Sequence, residues 1–230
     1  MIPARFVVEF PERCLALIDA MEPEARKRSL LGSFSLMIAP SLFMVPYERM
    51  RNSHDLQEAR RERGLYSALK RINKQKFLKA EYWNGATQGE WRQFKVMGNI
   101  ERTDEWVDEH GNHPMHGSAH NEIASATVDK VIRVIRNALA HGNIIYLDET
   151  GFEREGAQVQ YLAFISRYDD PIETCPDCGR KRERIVEGVG GERPTHRVVT
   201  VTEEGFLAFL RFWASWLQQF KGDWGIREAA

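Results

Sequence analysis

Residues 127–141 constrain this chain more than any other stretch, because Val128, Val131, Ile132, Ile135 and Leu139 recur at three- and four-residue steps and Gly142 follows at once. That period predicts a helix with one apolar face turned to the core. Glycine suits the left-handed position just past a helix end, so the helix is expected to stop at Gly142. Its last six residues are Arg136-Asn137-Ala138-Leu139-Ala140-His141. Asn137 and His141 are one helical turn apart and share a face, while Arg136 stands about 100° round from Asn137. A permanent cation with a planar fork, a short amide and an imidazole therefore gather at one helix end. Such a set suits phosphodiester chemistry: arginine can hold a phosphate and histidine can move protons near neutrality. The same residues also fit a solvated helix end in which His141 only caps the last carbonyls.

The chain has 230 residues, 43% of them hydrophobic, enough to bury a full core in one domain spanning residues 1–230. Helical periodicity predicts helices over about 12–21, 24–45, 53–79, 121–141 and 206–220. Residues 98–118 are acidic, rich in Gly and His and without period, and read as a loop. Residues 158–168 and 197–201 alternate apolar and polar side chains and read as strands. Thr200 and Glu203 are spaced as a capping box for the last helix. The expected fold is mainly α, a helical bundle with an inserted two-stranded antiparallel β-hairpin at about 156–200.

The net charge of −1 offers no global attraction to nucleic acid. Charge is concentrated locally, however: from Arg51 to Lys79 there are nine Lys or Arg against three Asp or Glu, a surplus of six. Arg60, Arg61, Arg63, Lys70 and Arg71 in this segment are the candidate contacts to an RNA backbone, the alternative being a solvated helix face. Tyr82, Trp83, Trp91 and Phe94 follow, and are read either as stacking platforms for bases or as core.

The string Arg136-Asn137-Ala138-Leu139-Ala140-His141-Gly142-Asn143, after an Ile/Val-rich helix, resembles the Arg-x4–6-His signature of the HEPN superfamily (higher eukaryotes and prokaryotes nucleotide-binding). The polar residue after the arginine, here Asn137, belongs to the usual pattern. Further likeness lies in the apolar helix ending Val45-Pro46-Tyr47-Glu48-Arg49, and in the strand-like stretch that leads into the final helix. The resemblance implies a dimerising helical bundle and a metal-independent endoribonuclease of the Arg-x4-His type. In such enzymes the arginine and histidine of two protomers meet in one cleft, and a 2′-hydroxyl attacks the adjacent phosphate. Carried over, Arg136 and His141 form the catalytic pair, and Asn137 orients them or touches phosphate. A toxin, stress or phage-defence setting and an antitoxin protein as partner follow from the same likeness. HEPN toxins paired with nucleotidyltransferase antitoxins often carry a tyrosine two residues after the histidine; this chain has Asn143 there, and its next tyrosine is Tyr146. The other reading that the resemblance allows is a non-catalytic HEPN module that binds RNA or a nucleotide, or that only dimerises.

Catalysis of this type needs no metal. Cys175-Pro176-Asp177-Cys178-Gly179 has the spacing of half a tetrahedral zinc site, with His196 as a possible third ligand, which would make any zinc structural. His110, His113, His116 and His120 lie together in the loop, either as metal ligands or as solvated side chains. The apolar residues 30–45 fall short of the roughly 20 needed to span a bilayer, and no secretory signal opens the chain. A cytoplasmic protein is expected.

Overall fold

The computed structural model describes residues 6–52, 59–86, 88–97, 99–108, 110–117, 119–167, 173–174, 181–182 and 196–220. Helix α1 (Phe6–Lys27) ends where Ser29 takes a left-handed φ of 56° and Leu30 N–H reaches back to the Ala25 carbonyl at 2.9 Å, a helix-closing loop. The chain then turns into α2 (Leu31–Ala39). Pro40 has no N–H to give and its ring crowds the carbonyl one turn back. The helix widens there into a π-helical turn over Pro40–Met44, closed by Val45 N–H donating to the Pro40 carbonyl, and continues as α3 (Val45–Asn52). Helix α4 (Ala59–Ile72) buries Leu65, Ala68, Leu69 and Ile72, and two short 3-10 turns, Phe77–Lys79 and Glu81–Trp83, follow it. Among the described residues no helix is long and apolar enough to cross a membrane.

The sheet corrects the expected fold class. It has four antiparallel strands, not two: β1 (Trp91–Val96), β2 (Ile144–Leu147), β3 (Tyr161–Arg167) and β6 (His196–Thr202), in the order β1-β6-β3-β2. β3 and β6 do pair antiparallel, from Tyr161↔Thr202 to Arg167↔His196. They are the middle of a sheet, though, and each gains a further strand. β1 escaped the period-two signal because both its faces are covered, leaving Trp91, Gln93, Phe94 and Val96 all buried. β2 is four residues long, too short to show a period. A separate two-residue pair, β4 (Glu173–Thr174) and β5 (Lys181–Arg182), lies between β3 and β6 in the chain.

The sheet divides the core. Leu162, Phe164, Val199 and Val201 belong to the larger cluster with α1, α2, α5 (Val128–His141) and α6 (Glu203–Gln218). Ala163, Ile165, Val198, Phe94 and Val96 face the other way, against Trp106, with Met115 packed at its margin. The segment read as a loop is thus the second cover of the sheet. Tyr82, Trp83 and Trp91 pack with Phe77, Phe209 and Trp213 in an edge-to-face aromatic cluster. With Tyr82, Trp83, Trp91 and Phe94 all 4% exposed or less, a base-stacking role for them is excluded. Thr202, not Thr200, caps α6 by accepting from Gly205 N–H at 3.1 Å.

Candidate functional site

Helix α5 presents Val128, Val131, Ile132, Val134, Ile135 and Ala138 to the sheet. Its opposite side carries Arg133, Ala140 and His141 in solvent, with Arg136 and Asn137 half-buried on the flanks. Gly142 has a φ of 71°, and a Cβ added there would meet nothing within 4 Å. Backbone conformation, then, rather than space, asks for glycine at this point. Asn143 N–H bonds the Ala138 carbonyl at 3.0 Å, and the Asn143 carbonyl accepts from Ile165 N–H at 3.0 Å. The helix end is thereby tied straight into β2 and β3.

Arg136 is the fixed member of the trio. Its Nη1 donates to Glu48 Oε1 of α3 at 2.8 Å, and its Nη2 donates to Asn137 Oδ1 at 2.9 Å. Asn137 Nδ2 in turn donates to Ser166 Oγ of β3 at 3.1 Å, and Ser166 is buried. One amide therefore joins the arginine to the sheet, and its orientation is set by having a donor on one side and an acceptor on the other. Beneath lies Tyr47, buried, its hydroxyl bonded to Asn73 Nδ2 at 3.5 Å. Burial pushes the Tyr47 phenol up, Asp129 adding to the rise and Arg136 and Arg51 opposing it, so the ring stays neutral.

Two of the five guanidinium N–H donors of Arg136 are used among the described residues, which leaves three for an incoming anion. Its side chain keeps 22% exposure, enough to be reached from solvent. His141 is exposed and its side chain has no hydrogen bond or ion pair among the described residues. Five helical steps put it about 140° round α5 and about 7.5 Å along from Arg136. Sequence reasoning gathers all three at this helix end; the structure bonds Arg136 to Asn137, while His141, one turn beyond Asn137 on α5, bonds to neither.

Glu48, Ser166 and Tyr47 are site residues that the sequence reading did not assign. Glu48 and Tyr47 stand in the Val45-Pro46-Tyr47-Glu48-Arg49 string, so a signal for them existed; Ser166 had none, since its place depends on the register of β3. Of the basic residues, Lys70 is exposed on α4, and Arg71 is held by Glu81 through bonds of 2.7 and 3.3 Å. The side chains of Arg60, Arg61 and Arg63 lie outside the described residues, as do Cys175 and Cys178. His196 sits opposite the Arg167 cation in the β3–β6 register, and burial, then Arg167, holds it below the ordinary histidine range. Among the described residues no group of three or more His, Cys, Asp or Glu could hold a metal ion. In the loop layer, His113 Nε2 lies 3.0 Å from the Thr103 carbonyl, and its ring packs on Phe152 with centroids 4.6 Å apart.

At the end of α5 the structure thus sets a held arginine and an exposed histidine in the Arg-x4-His spacing read from the sequence. The model of the HEPN pEK499 p136 family matches residues 2–174, and the chain belongs to that family, a HEPN-type domain. No curated protein and no solved structure matches the chain significantly.

Proposed function

We propose that the chain is a metal-independent endoribonuclease that works as a homodimer, with Arg136, Asn137 and His141 as its catalytic residues. The observation that carries this reading is the contrast at the end of α5: Arg136 is pre-positioned by Glu48 and Asn137 with donors to spare, and His141 is exposed with no competing partner among the described residues. Arg136 would stabilise charge developing on the phosphate, and His141 would take the proton of the attacking 2′-hydroxyl or deliver one to the leaving 5′-oxygen. The nucleophile's oxygen bonds to phosphorus as the P–O5′ bond breaks, leaving a cyclic 2′,3′-phosphate and a 5′-hydroxyl. One chain carries its arginine and histidine about 140° apart round α5, which supports a set supplied by two copies. Lys70 and Arg71, with Arg60, Arg61 and Arg63 on the same helix, would meet the RNA backbone. The setting is a cytoplasmic toxin, stress or phage-defence role, with an antitoxin as a further partner.

One observation favours the second reading, a HEPN module that binds RNA or a nucleotide without cleaving it. The Arg136 charge is already countered by Glu48, so a phosphate would be attracted less strongly than by a free guanidinium. The test is incubation of the purified protein with single-stranded RNA in EDTA, followed by analysis of the product ends. The nuclease reading expects cyclic-phosphate 3′ ends; intact RNA that is nevertheless retained by the protein would replace it with the binding module.

A further inference from the structure

Glu48 does more than hold Arg136. Its two carboxylate oxygens face different guanidiniums: Oε1 accepts from Arg136 Nη1 at 2.8 Å, and Oε2 lies 3.7 Å from Arg51 Nη1. Arg51 follows Glu48 by three residues and Tyr47 by four on α3, so the three are neighbours on the side of that helix from which Glu48 reaches α5. Both arginines bear on the same phenol, since each opposes the rise that burial imposes on Tyr47. One acid thus stands between two permanent cations, two bases against one acid, a surplus of one positive charge. Other ion pairs of the fold are not built this way. Arg133 with Asp129, Arg71 with Glu81 and Arg28 with Glu24 match one base to one acid, and Arg102 lies between Asp104 and Glu105.

Two like charges held on one carboxylate repel each other and attract a further anion. Both can be reached by one, with side-chain exposures of 54% for Arg51 and 22% for Arg136. At 3.7 Å the contact of Arg51 with Glu48 is an ion pair and not a hydrogen bond, so all five guanidinium N–H donors of Arg51 are unused among the described residues. A polynucleotide strand carries one phosphate per nucleotide, and so brings a second anion wherever the first is bound. We infer that Arg51 binds the phosphate next to the one held by Arg136, so that the site takes an RNA strand with at least two consecutive phosphodiesters, Glu48 keeping the two guanidiniums in place between them. The inference rests on the scissile-phosphate role proposed for Arg136 and names what that site requires of its substrate. Arg51 touches no reacting atom. It is a positioning residue that acts on how the strand is held, and its loss is felt in KM rather than in kcat.

Binding of a short 2′-O-methyl oligonucleotide, which lacks the attacking hydroxyl and stays intact, tests the contact by fluorescence anisotropy between about 50 and 200 mM salt. Losing one phosphate contact on a single strand should make the slope of log Kd against log salt shallower by about 0.7 for Arg51→Gln, with affinity down severalfold at the low-salt end. Arg51→Lys keeps the charge and should restore the slope. Cleavage gives the second readout. On a dinucleoside monophosphate, with its single phosphodiester, Arg51→Gln and wild type should share one kcat/KM; on a trinucleoside diphosphate the variant should lose about tenfold, through KM. Should Arg51→Gln fail to fold, Arg51→Met makes the same tests. An unchanged slope, or equal losses on the two substrates, overturns the inference. A slope that depends on Arg51 while RNA stays intact sinks the nuclease reading alone; cleavage by wild type with a slope that Arg51→Gln leaves unchanged sinks the Arg51 contact alone.

Discussion

Two of the histidine-bearing regions of the chain, the loop layer and the end of α5, are held in opposite ways. In the loop layer, His113 and His116 lie with ring centroids 5.0 Å apart, and His113 rests on Phe152 and the Thr103 carbonyl. At the end of α5, His141 stands in solvent with no partner among the described residues, and its neighbours Arg136 and Asn137 absorb the local hydrogen bonds instead. The crowded histidines have been put to packing, and the isolated one is free to act. The density of titratable residues in the sequence is therefore a poorer guide to the site than their freedom in the fold.

The largest effect that would sharpen this contrast comes from Arg136→Ala. Losing the guanidinium removes the phosphate anchor and the charge that offsets Glu48, and RNA cleavage should fall by about 100-fold or more. A rate within a few fold of wild type would make Arg136 a structural residue. Glu48→Gln is next. It keeps an acceptor but loses the charge pairing, so a modest loss of stability, about 1 kcal/mol or less, should accompany a severalfold loss of cleavage. If cleavage rose, Glu48 would be competing with phosphate rather than positioning the arginine. Ser166→Ala leaves Asn137 Nδ2 without its acceptor at a half-buried site, and urea unfolding should report about 1 kcal/mol of destabilisation. No change there would mean that the amide is not held from the sheet.

The smallest effect concerns the packed histidines. Burial holds His113 below the ordinary histidine range, with the Thr103 contact opposing it. The unfolded chain therefore takes up a proton at that position before the folded chain does. Stability contributed by neutral His113 is present above about pH 6.5 and is lost as the pH falls from there through the lower pKa of the folded state. Melting temperatures measured from about pH 7.5 to pH 5 should decline less steeply for His113→Gln than for wild type.

Much of the site was legible in the sequence because it lies on one helix. The three- and four-residue apolar steps fix which side of α5 is buried, and Gly142 fixes where it stops, so the local pattern alone assigns Arg136, Asn137 and His141 their positions on that helix. What joins that helix to the rest was not legible. Glu48 reaches Arg136 across 88 positions, and Ser166 reaches Asn137 only because of the strand register. The expected fold failed in its helix bounds, since α1 runs through Pro23 from Phe6 to Lys27, α4 stops at Ile72 and α5 starts only at Val128, and it failed at the sheet for a physical reason. β1 is covered on both faces and carries no alternation, and Trp91 and Phe94, which the sequence leaves open to base stacking, are the residues that bury it. The π turn was equally hidden: Pro40 signals a break, but a prolonged helix with a shifted face is a tertiary outcome.

The central claim is that His141 is free because it does chemistry. Cleavage of a defined single-stranded RNA in EDTA by wild type and by His141→Ala, at equal concentration and with matched melting temperatures, tests it most directly. The account predicts that the variant loses at least about 100-fold in rate while still binding the RNA. Equal rates, or no cleavage by either protein, would contradict it.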